Sequence, residues 1–251
     1  ADDARVEAEV RRALAQGFTQ IKVKIGRPAE DAVKRVRFVR KLVPEDVLLG
    51  CDANWIYDAD DALRVGKAMA DCGYWFFEEP VPPGDHAGYR RLAQHLPIRI
   101  AAGESDFTAA DSAELVRDHV LGLTQPDVAR SGGITETWRI AEHAAMHGVA
   151  YAPHIGWSGS VCAAASLHLG DVYKRQGPQR AAGRRRRGAA RWHAGRAAGA
   201  RPRRHARPRG AGAHARARLM RETLATRLAL IAPTQGMVLA ALAAPALYLV
   251  W

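Results

Sequence analysis

The chain has 251 residues, 48% of them hydrophobic, enough for one large α/β domain with a real core. Its formal net charge of +11 would by itself suggest nucleic acid or an anionic membrane. The charge is placed unevenly, however: residues 1–170 hold 19 Lys/Arg against 24 Asp/Glu, and residues 171–251 hold 18 against 2, which excludes both partners for the first 170 residues. Cys51, Cys72 and Cys162 lie far apart and match neither a zinc spacing nor a disulfide framework, so they read as thiols in a reducing compartment. The charged, helix-patterned N-terminus carries no signal-peptide pattern, and a cytoplasmic location is expected.

Residues 3–16 read as an amphipathic helix ended by Gly17. Ile21, Val23 and Ile25 then alternate with Lys22 and Lys24, the period of a strand, and a helix through Val33, Val36, Val39 and Leu42 stops near Pro44. Strand 47–51 leads into Asp52, and helix 59–72 precedes strand 74–77 with Glu78-Glu79-Pro80 behind it. Helix 86–95, strand 98–102 and Gly103-Glu104 follow. Helix 109–118 precedes strand 121–125 and Pro126-Asp127; helix 134–147 precedes strand 149–151 and Pro153-His154; helix 158–168 comes last. Strands alternating with helices through short links imply a parallel sheet covered by helices. Six strands are expected where a closed (β/α) barrel needs about eight, so the pattern predicts an incomplete TIM-type barrel lacking a strand at each end, and therefore inactive by itself.

Asp52, Glu78, Glu104 and Asp127 recur at intervals of 26, 26 and 23 residues, and 27 more lead to His154. Each follows an apolar run, and strand ends on one face of a (β/α) barrel are where catalytic groups gather. Three converging carboxylates repel one another unless a cation holds them, and an all-oxygen set favours magnesium over zinc. Lys22 and Lys24, two apart on a strand, present both ammonium groups to one face. Glu78 and Glu79 point to opposite faces, so only one can be a ligand. Asp106 and Glu136 read as acids at helix starts. Arg130 either reaches the mouth or forms a structural salt bridge. His86, His95, His119, His143, His147 and His168 read as surface or packing residues. A barrel glycosidase also uses two carboxylates, but it needs neither paired lysines nor a third acid.

Lys22-Val23-Lys24, Asp52-Ala53-Asn54, Glu78-Glu79-Pro80, Gly103-Glu104, Gln125-Pro126-Asp127 with Gly132-Gly133-Ile134-Thr135-Glu136, and Pro153-His154 resemble the enolase superfamily, mandelate racemase subgroup. The resemblance covers residues 1–170. It implies Mg2+ held by Asp52, Glu78 and Glu104, with Glu79 left as an ion-pair residue. Lys24 would be the base that removes the proton α to a carboxylate, and Lys22 would face the developing enediolate charge and the substrate. Asp127 would orient His154, the acid or the opposite-face base, while Asn54 would contact the substrate carboxylate or support the residues that do. Trp157 and Ser158, by their place after His154, are candidate pocket-lining residues. The segments 125–136 and 153–169 resemble acid-sugar dehydratases, which implies a hydro-lyase converting a sugar acid to a 2-keto-3-deoxy acid; a racemase or epimerase of a 2-hydroxy acid shares the first half-reaction. The resemblance also implies a small carboxylate substrate and a homo-oligomer.

Beyond residue 170 the text changes. Asp171-Val172-Tyr173-Lys174-Arg175-Gln176 matches a transposase sequencing adaptor read in one frame, and residues 171–219, with 15 Arg and one Lys, resemble GC-rich DNA read out of frame. No packed core is expected there. Residues 220–251 include an uncharged run from 228 to 251 that is long enough to cross a bilayer and resembles the start of a sugar-uptake permease subunit. Read alone, this tail implies a basic nucleic-acid- or membrane-binding protein; read as foreign sequence, it implies neither partner.

Overall fold

The computed structural model describes residues 2–156, 158–176 and 247–250. In chain order the elements are α1 (Asp3–Ala15), β1 (Gln20–Lys24), α2 (Ala29–Leu42), β2 (Leu48–Asp52), α3 (Ala59–Asp71), β3 (Phe76–Glu78) and α4 (His86–His95). They continue with β4 (Arg99–Ala102), α5 (Ala113–Arg117), β5 (Leu123–Thr124), α6 (Ile134–Met146), β6 (Ala150–Tyr151), α7 (Ser160–Gln176) and β7 (Leu247–Val250). The six expected strands all form, and β1 through β6 pair in sequence, every pair parallel. A seventh strand was not expected: β7, from the apolar run near the C-terminus, pairs in parallel with β1 at the edge the sequence pattern leaves open. Otherwise the expected Arg-rich and permease-like segments lie outside the described residues, apart from 171–176 at the end of α7. No helix among the described residues is long and apolar enough to cross a membrane.

The strand period sorts side chains onto two faces. Ile21, Val23, Leu49, Cys51, Phe77, Ile100 and Ala102 join the large core against the helices, with Val36, Val39, Val65, Met69 and Leu92. Their neighbours Phe76, Ala101 and Leu123 form a separate cluster on the other face, with Trp75 and Ala152 against it. Gly50 belongs to that second face, where a Cβ would come within 2.2 Å of the Phe76 ring, so the ring occupies the space a side chain would need.

Several helices begin where a short acceptor side chain can satisfy free N–H groups: Asp58 accepts from the amides of Asp60 and Asp61 at α3, and Asp85 from Gly88 at α4. The helix expected over 109–118 is shorter, Ala113–Arg117. Asp111 accepts from the Phe107 and Thr108 amides and holds the preceding residues in a turn instead. β5 and β6 shrink to two residues each, and an isolated bridge joins Asp127 to His154 just beyond them.

Candidate active site

Register places the charges. Lys24 lies opposite Asp52, and Asp52 opposite Glu78, so the ends of β1, β2 and β3 stand level. On β4, Glu78 pairs with Ala101, and Glu104 comes three residues later. The chain bends at Gly103, φ +121°, to bring it back. A Cβ there would stand 3.1 Å from both Gln125 N and Thr124 Oγ1, so backbone angle and space both call for glycine. The result is a triad, Asp52, Glu78 and Glu104, offering carboxylate oxygens within 4.8 Å of one another.

Two ammonium groups brace one side of this triad. Lys22 is fully buried, with Nζ 2.5 Å from Glu78 Oε1 and 3.2 Å from Asp52 Oδ2; it lies beneath the ring of carboxylates, one strand period before Lys24. Lys24, 10% exposed, sets Nζ 2.5 Å from the same Asp52 Oδ2 and donates to Asn54 Oδ1. Asn54 itself donates its amide to Asp52 Oδ1 at 2.9 Å. It and Trp55 take left-handed backbone angles, φ 45° and 55°, and Trp55 N donates to Glu79 O at 2.7 Å.

Burial works against every charge here, and the partners decide the outcome. It would lower the Lys22 pKa, but attraction to Glu78 and Asp52 outweighs it, so Lys22 is raised and stays cationic. Burial pushes Asp52 up, yet two lysines and the Asn54 amide carry it below its usual value. Glu78 ends up raised although it shares Lys22: its burial and the Asp52 charge prevail over that one ammonium and the Gln125 bond.

The other side is held by loops. His154 Nδ1 meets Asp127 Oδ2 at 2.9 Å, and Nε2 lies 3.1 Å from Glu104 Oε2. Asp127 also accepts from Ala129 N and Gly156 N; burial opposes its charge, but His154 and these amides lower its pKa. A Cβ on Gly156 would come 2.6 Å from the His154 ring. The triad thus has Lys24 against its first member and His154 against its last.

Three expected site features, at Glu79, Asp106 and Trp157, come out differently or fall outside the described residues. Glu79 is no ion-pair residue: among the described residues it has no cationic partner, is fully buried, and its carboxylate accepts from Ser105 Oγ at 3.4 Å. Arg130 makes no ion pair with a carboxylate among the described residues and extends to Ser105 Oγ at 3.5 Å, next to Glu104 in the chain. Asp106 stands buried in the loop after β4, bonded to Ser112, rather than in a helix start, whereas Glu136 lies in the first turn of α6 and accepts from Ala109 N. Trp157 lies outside the described residues. Gln125, noted in the sequence only as part of a motif, is a site residue: buried, it donates Nε2 to Glu78 Oε2 at 2.9 Å. Its place on the inner face, two residues after Leu123, is the signal that strand period could have supplied.

The donor set fits a hard divalent cation. Asp52 Oδ2 and Glu104 Oε2 are buried with no hydrogen bond beyond their ion pairs to Lys22, Lys24 and His154, and every donor is a carboxylate oxygen, the type magnesium and calcium prefer.

The enolase C-terminal domain-like family model matches residues 5–203. The chain is 35% identical over 157 residues to an arabinonate dehydratase of Saccharolobus solfataricus, covering 62% of this chain and 42% of the relative. It is 34% identical over 168 residues to a D-galactarolactone cycloisomerase of Agrobacterium fabrum, covering 67% and 43%. A crystal structure of a racemase from Streptomyces coelicolor A3(2) with bound magnesium superposes with a TM-score of 0.61 at 31% identity, covering 66% of this chain and 46% of that one. The chain therefore spans less than half the length of each. With its parallel β/α order and acidic triad, the chain belongs to the enolase C-terminal domain-like family of the enolase superfamily.

Proposed function

We propose that this mouth removes the proton α to a carboxylate and expels a β-hydroxyl, dehydrating a sugar acid to a 2-keto-3-deoxy acid. The observation that carries the reading is a base and an acid at opposite members of one carboxylate triad: Lys24 against Asp52 and His154 against Glu104. Asp52, Glu78 and Glu104 would hold Mg2+, which when bound supplies positive charge where the enediolate forms. Lys24 takes the α-proton, and the C–H electron pair moves into the enediolate. Lys22 adds a fixed positive charge from beneath the ring. Asn54 steadies Lys24 and offers its amide nitrogen to the substrate carboxylate. Asp127, kept anionic by its donors, stabilises the imidazolium of His154 and aims Nε2 at the mouth. His154 then gives its proton to the departing hydroxyl, which leaves as water, and the enol takes up a proton at carbon 3 to become the keto acid.

The same opposition of Lys24 and His154 also supports a racemase or epimerase, in which His154 returns a proton to the other face of the α-carbon. Products separate the two. Residues 1–170, grafted into the frame of a full-length relative, are incubated with sugar acids and Mg2+ in D2O. Keto acid is the expected product; inversion with deuterium at the α-carbon and no loss of water would assign the racemase instead, and the absence of both products would overturn the reading.

A further inference from the structure

Three histidines gather at the opposite end of the strands from the mouth. The helices run antiparallel to the strands, so the C-terminal ends of α5 and α6 lie by the beginnings of β5 and β6, whereas Asp127 and His154 follow the ends of those strands. His143 lies in the last turn of α6 and His147 caps its C-terminal end, its amide still donating to the His143 carbonyl, and the two ring centroids are 4.6 Å apart. His119, just past α5, sets its ring 6.4 Å from that of His147. None of the three has an acidic partner among the ion pairs of the described residues, so the cluster is not a salt-bridge device.

We propose that His143 and His147, completed by His119, bind a transition-metal cation of the class that prefers imidazole, with Zn2+ as its representative. Two histidines at positions i and i+4 present nitrogens from one helix face, the spacing used by helical zinc sites. His143 Nε2 lies 3.2 Å from the carbonyl of Ala113, which accepts its N–H and leaves Nδ1 with the lone pair. Metal-binding histidines are fixed in this way, one ring nitrogen on a backbone carbonyl and the other on the ion. The third ring stands off in the structure, since only the carboxylate triad offers three donors within 4.8 Å of one another among the described residues. His119 is exposed, and its completing the site requires its side chain to turn toward His147. Nitrogen donors here and oxygen donors at the mouth divide the metals: imidazole suits zinc, nickel and copper, and carboxylate suits magnesium. A bound ion would tie α5 to α6 across β5.

The test is calorimetric titration of the full chain with Zn2+ near neutral pH, in excess Mg2+ to occupy the carboxylates. His193, His205 and His214 add their own background, so the readout is a difference between variants. His143→Ala/His147→Ala should lose one zinc equivalent while Mg2+ binding is unchanged. His119→Ala should keep that equivalent with affinity weakened about tenfold. His147→Gln retains a polar side chain of similar reach and should lose the equivalent too, which guards against misfolding of the double variant. Zinc stoichiometry and affinity equal to the parent in both the double variant and His147→Gln would overturn the proposal.

Discussion

The two sides of the mouth are built by different physics. On the β1–β3 side, strands of five, five and three residues stand in register, and Lys22, Lys24, Asp52 and Glu78 interlock as three ion pairs with almost no exposure. On the β4–β6 side, strands of four, two and two residues end early, and Glu104, Asp127 and His154 are held by a glycine bend and by loop amides. The sheet fixes three ion pairs on the first side, Lys24 among them; on the second, hydrogen bonds from loop residues aim His154. The proposed reaction thus draws one proton carrier from a strand held in register and the other from a loop held by local bonds.

The sharpest way to break this division is to remove one proton carrier from each side in the grafted enzyme. Lys24→Ala should lower α-proton exchange and keto-acid formation together, by about 10²–10⁴-fold. His154→Gln should lower keto-acid formation by a similar factor, about 10²–10⁴, yet leave exchange of deuterium into the substrate. Equal loss of exchange in both variants, read by proton NMR, would erase the distinction.

A second prediction concerns stored charge. Lys22→Met leaves Asp52 and Glu78 buried with only Lys24 against Asp52, and breaking a buried pair in this way costs about 3–5 kcal/mol. The loss should appear in urea unfolding of the chain without divalent ions and shrink when Mg2+ is added. A loss unaffected by Mg2+ would separate Lys22 from the triad.

Gly103→Ala probes the other side. Its φ and the 3.1 Å approach to Gln125 N should make it destabilising by about 1–3 kcal/mol, with weaker Mn2+ binding by electron paramagnetic resonance because Glu104 swings away. Gly148→Ala, also at positive φ but with nothing near its Cβ, should leave Mn2+ binding unchanged.

The smallest effect is a pH slope. Burial, then the charges of Glu104, Asp52 and Glu78, push the Glu79 carboxyl from an ordinary value of 4.5 up to about 9. Between those two values the folded chain binds more protons at this site than the unfolded chain, so its contribution to stability falls as pH rises. Glu79→Gln should flatten that decline in metal-free protein, measured by urea midpoints across the window; an unaltered slope would assign it to other groups.

Much of this was legible in the residues. Alternation around Lys22 and Lys24 located β1, and the regular recurrence of acids located the ends of β2, β3 and β4, because strand period and barrel repeat are local properties of sequence. Glu79 was misjudged because strand alternation predicts only that it faces away from Glu78; the left-handed turn at φ 39° and the acidic surroundings are set by tertiary packing. The shortened α5 followed from Asp111 capping a turn, a competition between side chain and helix that periodicity does not register. β7 pairs with β1 across more than two hundred residues of chain, a partnership no local pattern encodes.

The left-handed pair Asn54-Trp55 has a consequence for which sequences this position can accept. A left-handed residue other than glycine is disfavoured by about 1–2 kcal/mol, and asparagine and aspartate bear it more readily than other side chains. Selection for folding alone at position 54 should therefore recover Gly, Asn and Asp. Only Asn brings a neutral carbonyl to Lys24: Gly brings nothing, and Asp adds a fourth negative charge to a crowded mouth. A library randomised at that one codon should thus narrow in two stages, to three residues under selection for solubility and to one under selection for turnover, separating what the backbone permits from what the chemistry requires.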